Sequence, residues 1–237
     1  MDNAGARGSL TGFEPVTRPR VPQKVQLGEE IAAYVRDMIM SGQLRGGEPI
    51  HMDVLARELG TSVSPVREAL LLLSGEGFVL REARKGFRIA SLSRGDIADL
   101  YLVQSFVAGE LAARAATASG AKLAAEIEGI QQRLDEAGAR GDVETVEHFN
   151  NQFHRALNGM AQSPKLGWLL GIVVRYVPSR FFATIPGWSD ASTYDHEAIL
   201  KASREGDAEA ARAAMASHIV HAGELLVEHL EGVGFWD

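Results

Sequence analysis

The chain contains no cysteine. Disulfides and thiolate metal sites are therefore excluded, and any metal it holds must rest on nitrogen and oxygen ligands. It also lacks a long apolar run, and no stretch approaches the roughly 18–20 residues that a membrane-spanning helix needs. The opening segment MDNAGARGSLTGFEPVTRPRVPQK has no apolar core of a secretory signal. Together these absences point to a cytoplasmic protein with no membrane partner. Positive charge is in short supply, 24 Lys and Arg against 31 Asp and Glu. A net charge of −7 argues, taken alone, against a nucleic-acid partner.

The distribution of charge reverses that reading. Residues 1–90 carry 12 basic against 11 acidic side chains, whereas residues 91–237 carry 12 against 20. Within the first part, Arg81, Arg84, Lys85 and Arg88, with Arg94 just beyond, are opposed locally only by Glu82. A basic patch on one module and an acidic second module suit a nucleic-acid reader joined to a sensor. With 46% hydrophobic residues over 237 positions, the chain can bury the cores of one large or two modest domains.

Periodicity divides the chain into an arm at 1–22, a first domain at 23–92 and a second at 93–237. The arm is rich in Gly, Pro and Arg, shows no period and is expected to be disordered. A first helix is predicted over 25–41, where Leu27, Ile31, Val35, Met38 and Ile39 recur at helical spacing, and Ser41-Gly42 ends it. The segment QLRGGEPI reads as a connector. Asp53 is expected to cap a short helix, VLAREL, that Gly60 stops. Ser62 or Ser64 is expected to cap a third helix, with Pro65 tolerated in its first turn. Two short alternating runs follow, Phe78 and Leu80 on one face and Phe87 and Ile89 on the return, linked through Gly86. A short exposed helix braced by another and followed by a basic hairpin is the arrangement of a winged helix-turn-helix.

From Ser91 onward the pattern is helical, with helices predicted near 94–119, 121–140, 142–161, 163–182, 192–205 and 207–231. Ser93 and Asp96 have capping-box spacing. Gly120, Gly141, Ser163-Pro164, Pro186-Gly187 and Gly206 mark the joints. Short joints favour antiparallel neighbours. The fold class is thus mainly α: an N-terminal winged helix-turn-helix plus a C-terminal antiparallel α-helical bundle.

The run LARELGTSVSPVREALLLLSGEGFV followed by RKGFRIA resembles the DNA-binding domain of the GntR family of bacterial transcription regulators. P-V-R-E-A-L, L-x-x-E-G and the wing glycine carry the resemblance in combination, over about residues 25–92. It implies that the first turn of the third helix enters the major groove, bringing Val63, Ser64 and Arg67 to the bases. Arg67 can bond guanine or a phosphate. Arg45 and Arg57 are phosphate-contact candidates. Lys85 and Gly86 at the wing tip are expected to approach the minor groove. An arginine is common in the family at the place of Val63, so this chain's operator is expected to differ from the usual one. Surface charge with no DNA role is the plain alternative for Arg45 and Arg57.

Seven histidines stand at positions 51, 148, 154, 196, 218, 221 and 229. Asn150 and His154 lie four apart on one helical face, and His196 and His218 fall on two later helices. Packed or solvated histidines and a convergent metal site both remain open on spacing alone. The motifs N-x-x-F-H-R-A-L (150–157), D-H-E-A-I-L-K-A and G-D-A-E-A-A-R-A-A-M-A-S-H resemble the FCD ligand-binding domain of the FadR subfamily, over about 93–232. That resemblance implies a divalent metal, Zn or Ni by ligand type, held by Asn150, His154, His196 and His218. Asn150 stands where aspartate is frequent. Gln104 and Ala108 stand near positions where relatives carry an arginine and a glutamate. Effector contacts are therefore expected from Gln104 and Arg175, with Tyr176 and Arg180 as further candidates; a plain surface position is the alternative for Arg175, Tyr176 and Arg180.

The expected function is a homodimeric regulator, a repressor, that binds double-stranded operator DNA under control of a small organic acid at or near the metal. Two alternatives stay open: a metal-dependent hydrolase-like bundle enzyme with an appended winged helix, and a metal-free regulator that binds a larger acyl ligand.

Overall fold

The computed structural model describes residues 23–176 and 188–236. The arm at 1–22, Arg180 and the end of the helix predicted at 163–182 lie outside these residues. The N-terminal region comprises α1 (Gln23–Met40), α2 (Met52–Glu58), α3 (Val63–Glu76) and an antiparallel sheet of β1 (Pro49–Ile50), β2 (Val79–Glu82) and β3 (Gly86–Ile89) in the order β1-β3-β2. Val35 and Ile39 of α1, Val66, Leu70 and Leu73 of α3, and Phe78, Val79 and Ile89 of the wing are all buried. Each such side chain contributes about 1.5–3 kcal/mol. The spacing of Val66, Ala69, Leu70 and Leu73 turns one face of α3 inward and leaves Arg67 and Glu68 exposed on the other.

Three local expectations are corrected. His51, not Asp53, occupies the N-cap of α2, and Asp53 sits inside the first turn, where its charge favours the helix dipole. Leu80 faces solvent, and Val79 takes the inward place opposite Ile89. Phe78 precedes the strand, its amide closing α3 on the Leu73 carbonyl at 3.0 Å, so the alternation that pairs it with Leu80 does not run through. The supposed connector also contains β1, too short to show a period of two.

The second region consists of α4 (Arg94–Ala139), α5 (Val143–Met160), α6 (Pro164–Val173), a 3₁₀ turn (Val174–Tyr176), α7 (Trp188–Glu205) and α8 (Ala208–Gly232). The capping box forms: Ser93 Oγ accepts from Asp96 N at 3.1 Å, and Asp96 Oδ2 accepts from Ser93 N at 2.7 Å. The expected break at Gly120 is present as a kink one residue earlier: at Ser119 the backbone leaves the helical region (φ −150°, ψ 25°), with a helical segment of α4 on either side. Gly120 also permits close packing, because a Cβ there would lie 2.9 Å from the Ser203 carbonyl oxygen of α7. α7 begins at Trp188, earlier than predicted. α4 is the central post on which α5, α6, α7 and α8 pack.

Two sets of contacts tie the regions together. Trp236 Nε1 donates to the Leu92 carbonyl at 2.7 Å, and Arg94 lies over the Trp236 ring while pairing with Glu231. At the other contact, Tyr176 stacks on Phe78 with ring centroids 4.2 Å apart, and its hydroxyl donates to the Glu76 carbonyl at the end of α3. Arg175 and Arg36 both pair with the Glu76 carboxylate.

Candidate metal centre and nucleic-acid interface

Helices α5, α7 and α8 each bring one imidazole to a common point. One ligating nitrogen from each of His154, His196 and His218 lies within 4.8 Å of the other two. His154 Nε2 and His218 Nε2 face each other at 3.3 Å. The second ring nitrogens of His196 and His218 are held from behind. His196 Nδ1 lies 2.7 Å from Gln131 Oε1, an acceptor, so it carries the proton and leaves Nε2 as a lone-pair donor. The Gln131 amide is itself fixed, donating to Asp135 Oδ1 at 2.8 Å. His218 Nδ1 faces Asp195 Oδ2 at 3.4 Å, and the same carboxylate meets His221 Nδ1 at 3.1 Å. Phe153 stacks on the His196 ring at 4.0 Å and 4°.

Burial keeps the His154 and His196 imidazoles neutral, the form that binds metal. It draws the His154 pKa down to about 3, with neighbouring His218 adding to the effect. His196 is held well below its ordinary range by the same two kinds of cause, His154 contributing as well. Asn150, one turn before His154, has a buried Oδ1 with no hydrogen-bond partner among the described residues. A buried carbonyl oxygen left unpaired costs about 1–3 kcal/mol. An oxygen of that kind beside three convergent imidazoles fits a divalent cation of borderline softness.

The cluster opens into a cavity of about 380 Å³, with Asn150, His154 and His218 on its wall, while fully buried His196 lies behind them. Tyr101, Gln104 and Ala108 of α4 and Gly167, Leu170, Gly171 and Val174 of the α6 segment complete much of the lining. Of the two expected effector residues, Gln104 lines this cavity and Arg175 does not; Arg175 pairs with Glu76 instead. Tyr176 likewise turns toward α3. Sequence reasoning missed Tyr101, Gln131 and His221. Gln131 meets His196 from 65 positions away, and no local spacing signals such a pair.

At the other end of the molecule, Val63, Ser64 and Arg67 are exposed along the start of α3. Arg57 is exposed on α2, within 4.0 Å of Asp53, and Arg45 is exposed before β1. The hairpin turn places Arg84 at φ 65° and Gly86 at φ 95°, with Lys85 exposed between them. The basic patch is smaller than its sequence suggests. Arg88 donates to Glu82 and the Gly47 carbonyl, and Arg94 is engaged by Glu231 and Trp236. Arg81, Arg84 and Lys85 remain as the exposed wing cations.

Residues 99–221 match the FCD domain, and residues 27–89 match the bacterial regulatory proteins of the gntR family. The chain belongs to the GntR family. A probable D-xylose utilization operon transcriptional repressor of Paenarthrobacter nicotinovorans is 30% identical over 196 residues, which is 80% of this chain and 85% of that protein. The Nta operon transcriptional regulator of Aminobacter aminovorans is 34% identical over 134 residues, 54% of this chain and 61% of that one. Among solved structures, Escherichia coli McbR/YncC superposes with a TM-score of 0.66 at 20% identity, covering 86% of this chain and 98% of that one. This GntR protein is a DNA-binding transcription regulator with an FCD effector-binding domain, not an enzyme. The hydrolase alternative falls with that assignment.

Proposed function

We propose that this regulator is a homodimeric repressor of the FadR subfamily whose grip on operator DNA is set by a small carboxylate bound at a divalent metal. The carrying observation is the convergence of His154, His196 and His218 beside the unpartnered Asn150 oxygen, at the wall of a cavity. These four residues would hold the ion, Zn or Ni by ligand type. When bound, such an ion supplies a Lewis-acid centre with room for a carboxylate oxygen. All four donor atoms are formally neutral, so an anionic ligand is favoured there. Gln131 and Asp195 orient the imidazoles. The relatives named as repressors of a D-xylose utilization operon and a gluconate operon support a repressor whose effector derives from a sugar or sugar acid.

In this reading Val63, Ser64 and Arg67 meet the bases, Arg45 and Arg57 meet phosphates, and Lys85 and Gly86 serve the minor groove. Dimerisation is supported by exposed Leu102, Val103 and Phe106 on α4 and Trp168, Leu169 and Ile172 on α6. The route between ligand and DNA is short. Val174 lines the cavity, and the next two residues grip the end of α3 through Glu76 and Phe78. A ligand that shifts the α6 segment changes how the reading helix is held.

The test is binding to the protein's own upstream DNA against a scrambled fragment across a salt series, with metal present and after chelation. Selective binding with a steep salt slope that responds to organic acids only in the metal form is the expected result. Equal weak binding to both fragments would contradict the operator assignment, and an identical acid response after chelation would remove the metal.

A further inference from the structure

The first turn of α3 presents an apolar side chain that the core does not use. Val63 is the first residue of the helix and is 40% exposed, whereas Val66 of the same helix is fully buried. Val63 lies outside the cluster that Val66, Leu70 and Leu73 build. Its exposed neighbours on the helix are polar or charged. Val63 and Arg67, four residues apart, stand in one row along the helix. Glu68, in the adjoining row, packs beside α1, where a Cβ on Gly28 would lie 3.5 Å from Glu68 Cβ. The row of Val63 and Arg67 thus sets one branched apolar group and one guanidinium side by side on the exposed face of α3.

We infer that Val63 reads the C5-methyl group of a thymine, so that each operator half-site carries a thymine about two base pairs from the base that Arg67 meets. The inference rests on the reading of α3 as the helix in the major groove. In that groove the base edges offer donors, acceptors and one apolar group, the thymine methyl. A valine isopropyl group neither donates nor accepts. Pressed on a purine N7 or a cytosine amine, it would strip water from them and give nothing in return. Against the thymine methyl both surfaces leave water, and the approach is favourable. Branching at Cβ holds valine to one preferred rotamer in a helix, so its two methyls are presented at a fixed place. The spacing follows from the helix: four residues rise about 6 Å, close to two base-pair steps of about 3.4 Å each. Cytosine at the same position offers no methyl, whereas 5-methylcytosine carries one in the same place.

The experiment uses the full-length protein and a pool of random-sequence duplexes, from which the preferred site is selected. Anisotropy titrations then replace each thymine of that site in turn by deoxyuridine, which removes the methyl and keeps every hydrogen-bonding group. At one thymine position wild type is expected to bind about fourfold more weakly for each half-site changed. Val63→Ala should keep the wild-type melting temperature, because the side chain is exposed, and should bind the thymine and deoxyuridine sites alike, the coupling between side chain and methyl being gone. Val63→Thr, which keeps one of the two methyls, should retain part of the penalty. Exchanging cytosine for 5-methylcytosine at that position should strengthen wild-type binding and leave Val63→Ala unmoved. A selected site with no methyl-sensitive thymine would overturn the assignment, and so would a Val63→Ala variant that keeps the full penalty; in both cases the operator reading of α3 stands. A protein that selects no sequence from the pool would overturn that reading and this assignment together.

Discussion

The two ends of this molecule carry function in opposite ways. The reading head presents exposed side chains: Arg67 stands outward from α3 on a scaffold of Val66, Leu70 and Leu73, and its surroundings are solvent. The helical region encloses its polar groups, and His196 is wholly buried, with Gln131 and Phe153 fixing its ring. Contacts on an exposed face add nearly independently, whereas an enclosed cluster stands or falls as a unit. Variants in the head should therefore change DNA affinity with little effect on folding, and variants in the cluster should change metal affinity and stability together.

The largest separation is expected from Arg67→Ala. A lost base contact costs about 1–3 kcal/mol, and the proposed dimer loses two, so specific operator binding should fall by about thirtyfold or more in anisotropy titrations. Melting temperature and metal content should not move. Unchanged operator affinity would remove Arg67 from the reading face.

Asp195→Asn tests the enclosed end. It keeps the shape while weakening the support behind His218 and His221, and metal affinity should fall by about 10–100-fold in competition with a chromophoric chelator. Operator affinity without effector should be unchanged. If metal affinity is untouched, Asp195 does not orient His218.

The pH dependence sharpens the contrast further. An unfolded histidine titrates near 6.5, whereas folded His154 is held down to about 3 and His196 well below its ordinary range. Between those values the unfolded chain binds more protons. Stability of the metal-free protein should therefore fall as pH drops from about 6.5 toward 3. Chemical denaturation at several pH values reads this directly, and a flat profile over that window would mean that the two imidazoles are not buried in the neutral form.

The smallest effect probes the joint between the regions. Tyr176→Phe removes one hydrogen bond to the end of α3 while keeping the stack on Phe78, a loss of about 1 kcal/mol. Global stability should change little, but the effector should shift operator affinity less than in wild type. A full effector response would place the route elsewhere, with the Leu92–Trp236 contact the next element to vary.

How much of this was legible in the sequence follows the same division. Val66, Leu70 and Leu73 repeat at helical spacing, Gly77 at φ 90° ends α3, and Ser93 with Asp96 closes a capping box; each is a local signal. The motif around His154 was legible because Asn150 and His154 share one turn. The orienting groups were not, because Gln131–His196 and Tyr176–Glu76 join residues 65 and 100 positions apart. The joint at Gly120 was legible, since α4 kinks at Ser119, but the close approach of Gly120 to Ser203 was not, because packing between distant segments leaves no local signal. Arg88 misled: its charge reads as part of a DNA-facing patch, while Glu82 and the Gly47 carbonyl engage it.

Metal analysis of untagged protein by mass spectrometry tests the central claim most directly. The expected result is one divalent ion per chain in wild type and its loss in His154→Ala and in His196→Ala. A wild type without metal after purification in Zn- and Ni-supplemented medium, or a His196→Ala variant that keeps the full complement, would contradict it.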